Sequence, residues 1–103
     1  MEIIKQYEKT YKNLDKKIVE VIRIPNECYP HSIKFVFAYF EYNESTDAYE
    51  EWLKIDNSEG QAHMHLNGRK VEIDFNDWKI ALLKFDQLVD ERRRIRFGGI
   101  LNR

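Results

Sequence analysis

Apolar residues recur along this chain with two different periods, and each change of period marks a new element. Between Glu2 and Leu14, the residues Ile3, Ile4, Tyr7, Tyr11 and Leu14 return at steps of three and four, with Lys5, Lys9 and Lys12 between them. That spacing predicts an amphipathic helix. Lys17 to Ile24 is dense in β-branched residues and stops at Pro25, which predicts a strand at or next to a sheet edge. Pro25 to His31 then reads as a loop stiffened by Pro25 and Pro30. Ile33 to Tyr42 is apolar on both alternating faces: Ile33, Phe35, Phe37 and Tyr39 on one, Val36, Ala38, Phe40 and Tyr42 on the other. This is the pattern of a central strand. Its second apolar face needs a cover, from the N-terminal helix, a loop or another subunit. Asn43 to Ala48 is a polar turn, Tyr49 to Asp56 alternates as a strand, and Asn57 to Gly60 turns the chain again.

The stretch Gln61 to Phe75 specifies a hairpin whose register can be written down. Asn67 and Gly68 both tolerate the positive φ that a two-residue type I′ turn demands. Counting back from Leu66 and Arg69 pairs His65 with Lys70, Met64 with Val71, His63 with Glu72, Ala62 with Ile73 and Gln61 with Asp74. Because strand side chains alternate, Ala62, Met64, Val71 and Ile73 share one face with Phe75 in phase, while Gln61, His63, His65, Lys70, Glu72 and Asp74 share the other. After Phe75, Asn76 or Asp77 can cap a helix whose stripe is Trp78, Ala81, Leu82, Phe85, Leu88 and Val89, running to about Arg94 and stopped by Phe97-Gly98-Gly99. Asp77 at its start and Arg92, Arg93 and Arg94 near its end suit the helix dipole. Ile100 to Arg103 reads as an unstructured tail. The elements together predict a single α+β domain over residues 1–103, an antiparallel five-stranded meander with an N-terminal and a C-terminal helix packed on it.

Composition narrows the functional classes. Six Phe, six Tyr and two Trp in 103 residues point to an aromatic-rich core. A net charge of −1 lacks the whole-molecule positive field of an obligate nucleic-acid binder. Charge is nonetheless uneven: Glu41 to Gly60 holds seven acids against Lys54, while Arg92 to Arg103 holds five arginines and no acid. A single cysteine, Cys28, excludes an internal disulfide and fits a reducing, cytoplasmic setting. The first residues lack the basic start and long apolar run of a signal peptide, and no apolar run approaches the about 18 residues of a membrane span.

The candidate chemistry centres on the two histidines of the hairpin. Residues two apart on a strand point the same way about 6.5 to 7 Å apart, so His63 and His65 can converge on one phosphate or one metal ion. For phosphodiester cleavage one imidazole takes a proton and the other gives one, with Glu72 orienting a ring and Lys70 or a C-terminal arginine holding developing charge. For metal binding, Glu72 offers only an incomplete third ligand. Alternatively, the two rings simply decorate a wet sheet face. Cys28 with His31 three residues on forms a weak nucleophile-and-base pattern, and a small buried apolar cysteine is the plainer reading. Trp52 and Trp78 read as core. Arg92, Arg93, Arg94 and Arg96 read as a solvated helix end, a phosphate grip or a dock for an acidic protein.

The segment Trp52 to His65, with a strand ending in Asp56-Asn57, a short turn and then His63-x-His65, resembles the TumE-type family of small prokaryotic toxin-antitoxin proteins. Where that family carries further Pro and His residues leading into the motif, this chain has Ser58, Glu59 and Gly60. The resemblance implies a small cytoplasmic protein that acts on RNA or another nucleic-acid target and is neutralised by a cognate antitoxin encoded beside it; no cofactor is expected. Its matching positions are Asp56, Asn57, His63 and His65. The competing expectation is a non-catalytic interaction module, a homodimer through the second apolar face of Ile33 to Tyr42.

Overall fold

The computed structural model describes residues 2–25, 29, 32–58, 60–74 and 77–98. Cys28, His31, Phe75, Asn76 and the tail from Gly99 onward lie outside the described residues. The chain forms β1 (Glu2–Thr10), β2 (Lys16–Arg23), β3 (Ile33–Asn43), β4 (Ala48–Asp56), β5 (His63–Leu66), β6 (Arg69–Glu72) and α1 (Trp78–Phe97). Every neighbouring pair is antiparallel, and the sheet order is β1-β2-β3-β4-β5-β6, an uncrossed meander.

The α+β class and the antiparallel meander agree with the sequence pattern, with one correction. The N-terminal segment is a sixth strand rather than a helix. Its register against β2 slips between Ile3 and Lys5, a β-bulge that inserts one residue and reverses the side-chain alternation. Ile4 and Tyr7, both packed against the core, therefore stand three positions apart. Normal alternation then carries Tyr7 to Tyr11. Steps of three and four on an edge strand imitate a helix, and the sequence periodicity cannot tell the two apart.

The hairpin register of β5 and β6 is as the sequence specifies: Leu66 opposite Arg69, His65 opposite Lys70, Met64 opposite Val71 and His63 opposite Glu72. Asn67 (φ 48°) and Gly68 (φ 85°) supply the two positive-φ turn residues. Ile73 N–H donates to the Ala62 carbonyl at 3.1 Å, extending the pairing one step past the strands.

Only one face of the sheet is covered by α1. Val19, Val21, Phe35, Phe37, Tyr39, Leu53 and Ile55 meet Ala81, Phe85 and Val89 in a closed core, with the rings of Phe37 and Phe85 5.8 Å apart. Each such fully buried large side chain contributes roughly 1.5 to 3 kcal/mol relative to exposure. A second bulge, between Tyr39 and Phe40 of β3, leaves Trp52 as the extra residue on β4. Trp52 packs at the core margin, edge-on to Tyr39 at 6.4 Å, so its structural reading holds. Helix α1 starts where Asp77 accepts a hydrogen bond from the Lys79 N–H at 2.9 Å. It ends where Gly98, left-handed at φ 64°, donates its N–H to the Arg94 carbonyl.

Candidate active site on the open sheet face

The ladder sets the histidines in two cross-strand rows on the face opposite α1. One row runs Glu20, Val36, Asp56, His63, Glu72. The other runs Ile18, Ala38, Lys54, His65, Lys70. In register, His63 thus stands between two carboxylate residues and His65 between two lysines, and the two rings share a face.

The row around His63 is the more enclosed. His63 is buried at 6% exposure, and its Nε2 lies 4.0 Å from Oε1 of Glu72, whose own side chain is largely in solvent. Asp56 is buried at 3% exposure. Its Oδ1 accepts from the Ser58 hydroxyl at 2.7 Å and the Ser58 N–H at 3.0 Å, and its Oδ2 lies 3.8 Å from Lys54 Nζ. Burial pushes the Asp56 carboxyl up, but the two Ser58 bonds and the charges of Lys54 and His65 outweigh it and hold the group below the usual carboxylate range. Asp56 is therefore a fixed anion between the two basic groups. His65 and Lys54 are half-buried, and Lys70 is exposed.

Asn57, the other residue of the Asp-Asn pair, has a different task. It is 1% exposed; its Oδ1 accepts from the Phe35 N–H at 2.9 Å and its Nδ2 donates to the Ile33 carbonyl at 2.9 Å. The side-chain amide continues the ladder past the end of β4 and satisfies two buried groups of β3. Asn57 holds the end of the sheet and presents no polar atom to a ligand.

The C-terminal arginines are likewise engaged within the fold. Arg93 is 1% exposed and donates to Asp15 Oδ2 at 2.8 Å, to Tyr39 Oη at 3.0 Å and to Asn13 Oδ1 at 3.3 Å. Its guanidinium lies over the Tyr11 ring, 3.7 Å from the centroid. Arg96 bridges Asp15 at 2.8 Å and Glu41 at 3.1 Å. Arg92 makes a two-pronged contact with Glu41 at 2.7 and 3.0 Å and stacks over Trp52. Of the four, Arg94 alone is classed as exposed. The sequence shows four arginines within five positions but not which carboxylates face them. Asp15 and Glu41 are distant in sequence from Arg93 and from each other, and the one local signal is an isolated acid among lysines at Asp15-Lys16-Lys17.

Asp15 anchors this second cluster. It is fully buried and accepts from Tyr39 Oη at 2.8 Å and the Tyr42 N–H at 2.8 Å besides the two arginines. Burial pushes its carboxyl up, yet the bonds from Tyr42, Asn13 and Tyr39 and the charge of Arg96 together bring it below its ordinary value. Tyr39 is shifted strongly the other way, by burial and by its bond to the Asp15 anion. This cluster locks α1 to the β1–β2 turn and to β3.

A cleft of about 360 Å³ lined by Glu2, Arg23, Ile24, Pro25 and Ser32 opens at one end of the sheet. The histidines are not among its lining residues; His63 is buried and His65 half-buried on the sheet face away from α1. Among the described residues no group of three or more His, Cys, Asp or Glu side chains is placed to hold a metal ion, and no helix is long and apolar enough to cross a membrane. Comparison with protein-family models, curated proteins and solved structures gave no match.

Proposed function

We propose that the open face of β4–β6 is an acid/base site for cleaving RNA phosphodiesters, with His63 as proton donor and His65 as proton acceptor. The observation that carries this reading is the placement of the two rings on one sheet face in neighbouring rows, His63 in register between Asp56 and Glu72 and His65 between Lys54 and Lys70. In this reading His65 withdraws the proton of the 2′-hydroxyl as it attacks the phosphorus, His63 gives a proton to the departing 5′-oxygen, and Lys54 and Lys70 offset the charge on the phosphoryl oxygens. Glu72, 4.0 Å from His63, orients the donor ring. Arg92, Arg93 and Arg96 are tied to carboxylates of their own chain, and α1 packs on the other face of the sheet, so the helix-end arginines lie away from the two histidine rows. The TumE-type resemblance adds a cytoplasmic toxin role with a cognate antitoxin as partner.

The test is cleavage of labelled RNA with a 2′-deoxy control strand, together with growth arrest on expression in a heterologous host. His63→Ala and His65→Ala are each expected to lower the cleavage rate by about 10² to 10⁴-fold, with folding checked by the near-ultraviolet dichroism of the core aromatics. Equal cleavage of the deoxy strand, or full activity in the double histidine variant, refutes the reading.

A further inference from the structure

The sheet face away from α1 also carries an apolar strip separate from the histidines. Ile18 and Ile22 of β2 and Val36 and Phe40 of β3 are partly exposed there, around Ala38, and Ile3 on β1 is 57% exposed beside Ile22. Among the described residues no helix packs on this strip. Its middle row reads, from one edge of the sheet to the other, Glu8, Ile18, Ala38, Lys54, His65, Lys70. Acid stands at one end, apolar residues next to it, and bases at the other.

We propose that this strip binds a second copy of the chain, face to face, about a two-fold axis running along the strands between β2 and β3. Such an axis reads each row in reverse, laying β1 of one copy over β4 of the other and β2 over β3. In the middle row it sets Glu8 over Lys54 of the partner subunit and Ile18 over Ala38 of the partner subunit. The neighbouring rows set Gln6 over Asp56, Glu20 over Val36 and Lys16 over Phe40, again with no like charges opposed. A two-fold axis running across the strands along this row would instead return Glu8 to Glu8 and Lys54 to Lys54, opposing like charges. Four strands about 4.8 Å apart and about 27 Å long give a flat footprint of roughly 500 Å², which side-chain relief raises toward the roughly 800 Å² per partner of a standard interface. Strands β5 and β6 lie outside the overlap, so the histidines of both copies stay at its two rims.

Sedimentation equilibrium of the full chain measures this independently of any activity. A dimer is expected at about 100 µM, in the range of interfaces this size. Glu8→Lys and Lys54→Glu should each weaken association about 10-fold, and the double variant Glu8→Lys/Lys54→Glu should restore it to within about threefold, since the pair is then re-formed in reverse. Ala38→Arg, at the centre of the strip, should weaken it about 100-fold; if that variant fails to fold, the two charge variants still decide the matter because both positions lie outside the core. A monomer at about 100 µM, or a double variant no better associated than the singles, overturns the proposal. Loss of RNA cleavage with the dimer intact bears only on the catalytic reading.

Discussion

Removing the Asp15 carboxylate should be among the most damaging single changes in this protein, and the structure says by how much. Asp15→Ala leaves the Arg93 guanidinium, 1% exposed, without its anion, and strips acceptors from the Tyr39 hydroxyl and the Tyr42 N–H. Breaking one side of a buried ion pair costs about 3 to 5 kcal/mol, against a total stability of about 5 to 15 kcal/mol for a domain this size. With a urea slope near 1.5 kcal/mol/M, the unfolding midpoint should fall by about 2 to 3 M. Much of that loss comes from the stranded charge, which a second substitution can isolate. Arg93 Nε has no hydrogen-bond partner in the fold, so part of the desolvation of this guanidinium is uncompensated even with Asp15 present. Replacing the arginine by a methionine of similar reach removes the charge and keeps the packing over Tyr11. Asp15→Ala/Arg93→Met is therefore expected to be about 1 to 2 kcal/mol more stable than Asp15→Ala alone, a positive coupling. Arg96, which keeps Glu41 at 3.1 Å, is not stranded in either variant. Urea melts followed by tryptophan fluorescence and by circular dichroism give both numbers. A double variant less stable than the single one would refute the argument that an uncompensated buried cation dominates.

Three further outcomes follow from the same structure. Both Asp15 and Asp56 have depressed carboxyl pKa values in the fold; their stabilisation is fully present above the unfolded value of about 3.9 and is lost as pH falls through the lower folded values, so the acid unfolding of Asp15→Asn should show a shallower slope below about pH 4 than the wild type. Asn57→Ala leaves the Phe35 N–H and the Ile33 carbonyl buried without partners, at about 1 to 3 kcal/mol each, and hydrogen exchange should show the Phe35 amide losing protection first; unchanged stability would count against its structural role. Leu14 is held at φ 76° in the β1–β2 turn and is 46% exposed, a left-handed conformation costing a bulky residue roughly 1 to 2 kcal/mol, so Leu14→Asn should raise the urea midpoint, and a fall would show that Leu14 packing outweighs the backbone strain.

What the chain specified by itself was whatever depended on neighbours close in sequence. The Asn67-Gly68 turn needs two residues that accept positive φ, and once it is placed, alternation alone sends His63 and His65 to one face and Met64 to the other. The cap at Asp77 and the stop at Gly98 are local in the same sense. The dual apolar faces of Ile33 to Tyr42 likewise marked it as an interior strand before its neighbours were known. Where pairing between strands intervened, the pattern misled: the bulge at Ile3 and Lys5 shifted the phase of β1 and made an edge strand look helical.

Tertiary structure alone decided which acids meet the arginines of α1. Asp15 and Arg93 are 78 positions apart, and Glu41 and Arg92 are 51; no period or motif links them, and only the docking of α1 across the sheet brings them within hydrogen-bonding distance. The same docking ties Arg92, Arg93 and Arg96 to Asp15 and Glu41. The antiparallel pairing of β4 with β5 places Asp56 and Lys54 beside the two histidines. Local chemistry set the direction of each histidine and its Glu72 or Lys70 neighbour, while the pairing of β5 with β4 set Asp56 and Lys54 on the other side.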